Sequence, residues 1–336
     1  MTIYELAKAL NVTPATVSKA LHGTGRMKAE TRERIMAYAR EVNYQPSAVA
    51  ANLRQSRTHT IGVIVPFIGN GVFSAIVSQA ERAAAERDYN IILITTGAEL
   101  EREQNAVGML LRRRVEGVIA VPYGSRRDLT CPHFARLTEN GIPVVMAEQD
   151  MPGSEFPKVL IDNRDGARQL TSHLLEAGHR RIMLAVHSTE PWNRTGGERV
   201  AGYRDAYRKA GLEAPEELII TRERLFKSDL VKRIRREKIT AIFAICDALA
   251  IDLIAALSAA GLNVPEDVSV AGFDNLDYTA SYLPALTTVN QPMEALGERA
   301  AAQLFAMIEA GKPDMFNGQT ASLPCQLVVR RSCRKV

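Results

Sequence analysis

The sequence predicts two parts of different fold class: an all-α helix-turn-helix head and an α/β body of two parallel-sheet subdomains. Three observations predict it. Short capped helical segments fill the first 44 residues, and from Thr60 short apolar runs alternate with amphipathic helical stretches. The same alternation restarts after Asp162, as expected for two sheets covered by helices.

The head is read from its caps. Thr2 and Glu5 have capping-box spacing at the start of a helix whose apolar face carries Leu6, Ala7 and Leu10. Asn11 and Val12 end it. Thr13 suits the next N-cap, and Pro14 the first helical position, where a missing N–H costs nothing. This second helix runs to Leu21, with Val17 and Leu21 on one face, and stops at His22-Gly23. A third helix spans roughly 29–42, with Ile35, Ala39 and Val42 turned inward and Arg32, Arg34 and Arg40 outside. Two short helices joined by a tight turn, then a third, follow the helix-turn-helix plan, in which the second helix enters a major groove.

Charge supports that plan. The chain carries a formal +4, but residues 1–58 hold nine Lys and Arg against four Asp and Glu, so the excess lies entirely in the head. A polyanion is the partner such a head suits. The exposed side of the second helix should carry Pro14, Ala15, Thr16, Ser18, Lys19 and His22. Lys19 is the long donor for a guanine edge, and Pro14 and Ala15 suit a thymine methyl. Thr16, Ser18 and the helix N-termini, including that of Thr2, suit phosphates, which position without specifying. Double-stranded DNA is therefore the expected partner. Residues 47–54, Ser-Ala-Val-Ala-Ala-Asn-Leu-Arg, form about two helical turns, too few to stand alone. They need a second copy or DNA to pack on. Leu53 would otherwise be exposed, and wedging it between base steps in the minor groove is one solution.

In the body, strands are expected at 61–66, 91–94, 117–121, 143–146, 181–186, 218–220, 241–245 and 268–272, with helices at 73–87, 104–113, 166–177, 199–210, 228–238 and 248–260. Ligands of such sheets bind outside the C-terminal strand ends. Asn70 and Phe73 follow the first strand, and Glu148 the fourth. Trp192, Asn193, Arg194 and Thr195 lie in the loop after strand 181–186, Cys246 and Asp247 end strand 241–245, and Asp274 and Asn275 follow strand 268–272. Aromatic, Arg, Asn and Asp groups suit a small polyol, sugar or sugar acid, although each is equally suited to a helix cap or a salt bridge.

The string TIYELAKALNVTPATVSKALHGTGRMKAETRERIMAYAREVNYQPSAVAANLR resembles the head of the lactose/purine repressor family of bacterial transcriptional regulators. IGVIVP, VLIDNRDGARQLTSHLLEAGHRRI, RVAGYRDAYRKAGL and VPEDVSVAGFDNLDYTASYLPALTTVNQP extend the resemblance through the body. It implies a homodimer or a tetramer, and a hinge helix that folds on operator DNA with Leu53 as its wedge and Asn52 and Arg54 supporting it. It also implies a periplasmic-binding-protein-like body crossed near residues 161, 290 and 322. The implied division is 1–44 for the DNA-binding domain and 45–58 for the hinge helix and linker, then 59–161 with 291–321 and 162–290 with 322–336 for the two effector-binding subdomains. Asp274 is then an acceptor for the effector, Glu148 a ligand-facing group, and Asn193 and Thr195 purine-repressor ligand positions. The purine-type arginine is absent at 193, the lactose-type arginine position falls on Gly197, and Cys246 replaces a lactose-type asparagine. These departures favour neither purine nor galactoside. Arg194 as an anion clamp would suit a sugar acid.

Enzyme motifs are missing: there is no G-x-G-x-x-G after the first strand, no phosphate-binding loop, no G-x-S-x-G and no H-E-x-x-H. The four cysteines form no CxxC pair and the histidines have no metal-ligand spacing; His173 and His179 read as helix caps or surface residues. No cofactor is implied. There is no signal-peptide pattern and no apolar run long enough to span a membrane, so a cytoplasmic, nucleoid-associated regulator is expected. Two rivals are a solute-binding receptor without a regulatory role, which the basic head disfavours, and a non-sensing structural DNA-binding protein, which a small-molecule effect on DNA affinity would exclude.

Overall fold

A computed structural model of the chain describes residues 1–21, 23–44, 57–69, 71–122, 132–151, 153–187, 194–227, 229–311 and 313–336. It divides into two compact units, Met1–Thr58 and His59–Val336.

In the first unit, α1 (Ile3–Ala9), α2 (Pro14–Leu21) and α3 (Ala29–Glu41) enclose a core of Leu6, Ala7, Val17, Ala20, Ile35 and Ala39. The capping box is present: the Glu5 N–H donates to Thr2 Oγ1 and the Thr2 N–H to Glu5 Oε2. Thr13 Oγ1 likewise accepts the Thr16 N–H at 3.1 Å. Such caps are worth about 1 kcal/mol each. Asn11 closes α1 in the left-handed region, at φ 51°. One expectation needs correction. Arg34 and Arg40 are exposed, but Arg32 is half-buried and its Nε has no hydrogen-bond partner.

The second unit opens with β1 (Thr60–Val65), α4 (Gly71–Ala85), β2 (Asn90–Thr95), α5 (Leu100–Arg113), β3 (Gly117–Ala120), α6 (Pro132–Glu139), β4 (Val144–Ala147) and β5 (Lys158–Ile161). With β11 (Thr320–Leu323) these form a six-stranded parallel sheet in the order β11-β5-β4-β3-β1-β2. The central strands β3 and β4 are buried at every position, which explains their unbroken apolar sequence. Helix α12 (Met293–Ala310) packs on α4 and on β3, β4 and β5.

The second sheet uses α7 (Asn163–Glu176), β6 (Ile182–Val186), α8 (Arg194–Lys209), β7 (Ile219–Thr221), α9 (Arg222–Lys227), α10 (Leu230–Arg236), β8 (Ala241–Ala244), α11 (Asp247–Ala259) and β9 (Ser269–Ala271). Its order is β7-β6-β8-β9, all parallel. A short antiparallel pair, β10 (Thr288–Asn290) with β12 (Gln326–Val328), stands beside α7. The chain leaves the first sheet after β5, returns to it through β10 and α12, and leaves again after β11.

Helices α7 and α8 form the most extensive helix pair. Gly202 permits it: a Cβ there would lie 2.1 Å from the Arg164 carbonyl oxygen. Tyr203 and Tyr207 are fully buried beside it and donate to the carbonyls of Ile182 and Arg180 at 2.8 and 2.9 Å. His179 is not a surface or cap residue. It is fully buried, between Thr240 Oγ1 at 2.9 Å and the Arg334 carbonyl at 3.0 Å, and it ties strand-end segments of the second sheet together. Among the described residues no helix is long and apolar enough to cross a membrane.

Candidate functional site

On α2 the side chains of Ala15 and Lys19, one turn apart, are exposed, whereas Pro14, Thr16 and Ser18 are half-buried. The Thr16 hydroxyl is already engaged, 2.8 Å from Thr13 Oγ1. Thr2 is exposed, with its hydroxyl held in the α1 cap. The face that α2 can offer a partner therefore centres on Ala15 and Lys19. His22 and the hinge residues Asn52, Leu53 and Arg54 lie outside the described residues.

In the body, the predicted strand-end positions converge from both sheets. Glu148 follows β4 with a left-handed backbone, φ 63°, and is buried. Its Oε1 accepts the Thr195 hydroxyl at 3.1 Å, from the first turn of α8, while Oε2 has no partner. Asp274 follows β9 at φ 133°, held by its N–H to the Val289 carbonyl at 2.9 Å. A left-handed backbone in non-glycine residues is strained, and such strain gathers at functional sites.

The group that organises these carboxylates is Arg199, on α8. It is 5% exposed. Its Nε donates to Asn163 Oδ1 at 2.9 Å, and Nη1 donates to the Ile245 carbonyl at 2.6 Å and stands 3.6 Å from Asp274 Oδ1. The guanidinium lies over the Phe273 ring, 3.8 Å from its centroid, a geometry that adds cation–π attraction. Gln291, on the crossing from β10 to α12, is buried and donates its amide to Asp274 Oδ1. Asp247, the first residue of α11, accepts the Thr288 hydroxyl at 2.5 Å and the Leu276 N–H at 2.9 Å. Gly272 leaves room for it, since a Cβ there would lie 2.2 Å from Asp247 Oδ1.

Electrostatics follow from burial. Burial pushes the Asp274 carboxyl up to about 7, against the pull of Arg199, and Asp247 and Glu148 repel it further. Burial also raises Glu148 and Asp247 above the ordinary carboxylate range. Cys246 caps α11 with its Sγ 3.4 Å from His187 Nε2. Burial pushes this thiol up to about 11 and, with Arg222 and Arg199, lowers His187. The pair is thus a neutral thiol beside a neutral imidazole, a weak polar contact rather than a nucleophile.

Arg194 is committed elsewhere. Its Nη1 donates to Asp150 Oδ2 at 2.9 Å and its Nε to Glu198 Oε1 at 2.6 Å, and Lys158 Nζ shares Asp150 at 3.2 Å. Burial alone would lower its pKa, but Glu198 and Asp150 hold it raised. An arginine already neutralised by two carboxylates is a salt-bridge partner, not the anion clamp expected of it. Phe73 is half-buried on α4 and packs into the core. The N-terminus of α4 does approach the Asp274 loop, because a Cβ on Gly71 would lie 3.0 Å from Leu276 Cδ2. Asn70, Trp192 and Asn193 lie outside the described residues.

The structure therefore brings together Glu148, Thr195 and Asp274 and adds Arg199, Gln291 and Asn163, which sequence reasoning missed. Arg199 was taken as the start of a helix that in fact begins at Arg194. Arg199 is a buried arginine. Its signal was its place one turn inside that helix, four residues before the buried Tyr203.

The comparisons decide the family. Residues 2–47 match the model of bacterial regulatory proteins of the lacI family, and residues 171–333 match that of a periplasmic binding protein-like domain. The chain is 33% identical over 339 aligned residues to the HTH-type transcriptional regulator DegA of Bacillus subtilis (strain 168), covering 98% of this chain and 97% of DegA. The chain belongs to the lacI family. This lacI-family regulator is also 31% identical to the HTH-type transcriptional repressor PurR of Actinobacillus pleuropneumoniae serotype 3 (strain JL03), over 100% of the chain and 99% of the relative. Among solved structures, the transcriptional regulator CelR–cellobiose complex superposes with a TM-score of 0.71 at 28% identity, over 99% of each chain. The relatives are regulators of transcription, and a ligand-responsive, DNA-binding regulator is what this family membership establishes.

Proposed function

We propose that this lacI-family regulator represses genes of carbohydrate metabolism, as a homodimer on a near-palindromic operator released or secured by a carbohydrate effector in the cleft. The observation that carries the reading is the buried assembly of Arg199, Asp274, Glu148 and Gln291 between the two sheets. Charged and amide groups sealed from water, some without partners, are the few placed polar groups by which a small hydroxylated ligand is oriented. The cellobiose bound to CelR supports carbohydrate. The PurR relative is named only as a transcriptional repressor, so likeness alone does not choose the effector.

Control is linkage. The effector shifts operator affinity only by the difference between its affinities for the DNA-competent and DNA-incompetent states. The helix expected at residues 47–54 is the element that both sites would bias.

The test begins with selection of an operator from random DNA by the full chain. Operator affinity is then measured at fixed salt with and without candidate carbohydrates, because phosphate contacts make affinity steeply salt-dependent. A carbohydrate that shifts affinity at least tenfold, through an effect lost in Asp274→Asn, is expected. Lys19→Ala should relax preference at one operator position, and Leu53→Ala should weaken specific binding. Uniform weakening across sequences would make Lys19 a phosphate contact, and unchanged binding by Leu53→Ala would remove the wedge.

A further inference from the structure

Asp274 and its neighbour Asn275 both have left-handed backbones, at φ 133° and 59°. Neither is glycine, so the surroundings must hold the loop in this form. Much of the hold comes from the segment that crosses from the second sheet to the first. The Asn275 N–H donates to Thr288 Oγ1 at 3.4 Å, and the Asp274 N–H to the Val289 carbonyl at 2.9 Å. Asn275 Nδ2 donates to Asn290 Oδ1 at 2.9 Å, and Gln291 donates its amide to Asp274 Oδ1. Asp274 and Asn290 also pair as an isolated parallel bridge. The loop thus follows β10 residue by residue into the crossing.

Asn275 is the pivot. Its NH2 goes to Asn290, and its oxygen accepts Arg330 Nη2 at 2.6 Å. An asparagine can serve both because it carries a donor and an acceptor on one short side chain. Arg330 stands two residues beyond β12, on the stretch that follows the last passage of the chain between the sheets. Its Nη1 donates to the Leu286 carbonyl at 2.8 Å and to the Thr279 hydroxyl at 3.2 Å, and that hydroxyl donates to the Leu276 carbonyl at 2.6 Å. Its backbone N–H donates to Thr287 Oγ1 at 2.9 Å. Among the described residues, the side-chain partners of Arg330 are a carbonyl, a hydroxyl and an amide, all neutral. The planar fork, with donors at fixed angles, is what such a set of acceptors uses, and a lysine does not supply it.

We propose that Arg330 is the positioning residue for Asp274: acting through Asn275, it locks the left-handed loop onto β10, so that the crossing segments aim the carboxylate. The importance of that aim rests on the reading of Asp274 as an effector-binding group. The lock gives an effector held by Asp274 a short physical route to the segments that join the two sheets.

The experiment needs no effector. Hydrogen exchange of the full chain, read by mass spectrometry on peptides covering 273–279, is compared among wild type, Arg330→Lys and Asn275→Gly. Lysine keeps the charge and loses the fork. Glycine keeps the left-handed backbone without strain and loses the side chain. Each variant should speed exchange at 274–276 about tenfold or more, the scale of one hydrogen bond to a charged group, while β8 exchanges at the wild-type rate. The second readout is the pH titration of the Asp274 carboxyl carbon by NMR, assigned by its absence in Asp274→Asn. Its midpoint, about 7 in the wild type, should fall by at least about one pH unit in both variants as the loosened loop admits water, with Arg199, Asp247 and Glu148 still facing it. Unchanged exchange or an unmoved midpoint in either variant overturns the proposal, and so does equal acceleration in β8, which would make Arg330 a general stabiliser of the body. Where Arg330→Lys does not fold, Asn275→Gly decides by the same readouts. Failure of the carbohydrate reading shows separately, as operator affinity that no carbohydrate moves, and leaves both readouts as they are.

Discussion

Replacing Arg199 by methionine would strip the cleft of its organising cation while leaving most of its volume filled. The change removes the donors to Asn163 Oδ1 and the Ile245 carbonyl and the charge facing Asp274. Methionine keeps an apolar contact with the Phe273 ring, so the loss is dominated by the polar groups left behind. Breaking a buried pair by removing one partner costs about 3–5 kcal/mol. For a body of this size that lowers the melting temperature by about 5–9 °C. Differential scanning calorimetry of the wild type, Arg199→Met, Asp274→Asn and the double variant is the assay. Asp274→Asn should cost much less than Arg199→Met, because it also relieves repulsion from Asp247 and Glu148. The double variant should be more stable than the sum of the two losses by about 1–3 kcal/mol, the coupling of residues in one network. Additive losses, or an Arg199→Met transition within about 2 °C of wild type, would show that Arg199 and Asp274 do not form a buried pair.

Two further outcomes follow from the same structure. Asp274 holds its proton in the folded chain up to about pH 7, whereas the unfolded chain releases it near 4. The folded state therefore binds more protons in that window, so this group's contribution to stability falls as pH rises from about 4 to 7, by at most about 1.4 kcal/mol per pH unit. Urea unfolding from pH 5 to 8 should show a flatter profile for Asp274→Asn than for wild type; parallel profiles would place the titration elsewhere. The comparison cancels His187, whose lowered pKa acts in the opposite direction. Gly202→Ala sets a Cβ against the Arg164 carbonyl oxygen and 2.9 Å from the Arg168 nitrogen, so α7 and α8 must separate. Overpacking of this kind costs about 1–3 kcal/mol, and an unchanged urea midpoint would mean that the two helices slide freely.

Much of the fold was legible because buried parallel strands write themselves as unbroken apolar runs. β1, β3, β4, β6 and β8 were all read from such runs. The edges were not. β11 reads Thr-Ala-Ser-Leu, and β5 starts with Lys158, whose ammonium is spent on Asp150. Their strand character comes from pairing across the chain, β5 with both β4 and β11, which local pattern does not record. Helix α8 hid its first turn behind Gly196 and Gly197, which read as loop. Contacts from Thr195 to Glu148 and from Arg194 to Glu198 and Asp150 hold that turn in place instead. For the same reason Arg199 looked like a helix start, and Gln291, on a crossing segment, offered no periodicity at all. In α2, helical spacing put Val17 inside and Ala15 and Lys19 outside, but the burial of Ala20 in place of Leu21 and the engagement of Thr16 by Thr13 needed coordinates.

The late return of the chain to its first sheet sets an order of completion during synthesis. The head closes its own core within 44 residues, whereas the first sheet waits for α12 and for β11 at residues 320–323. At ordinary elongation rates the interval between the two is roughly 10–50 s. Throughout it the ribosome carries a finished reading helix on an unfinished receiver, with the α12-facing side of β3, β4 and β5 uncovered. Damage late in the gene would therefore strike the receiver first: the reading helix would survive on a body with a bare apolar flank, destined for aggregation or proteolysis rather than for control.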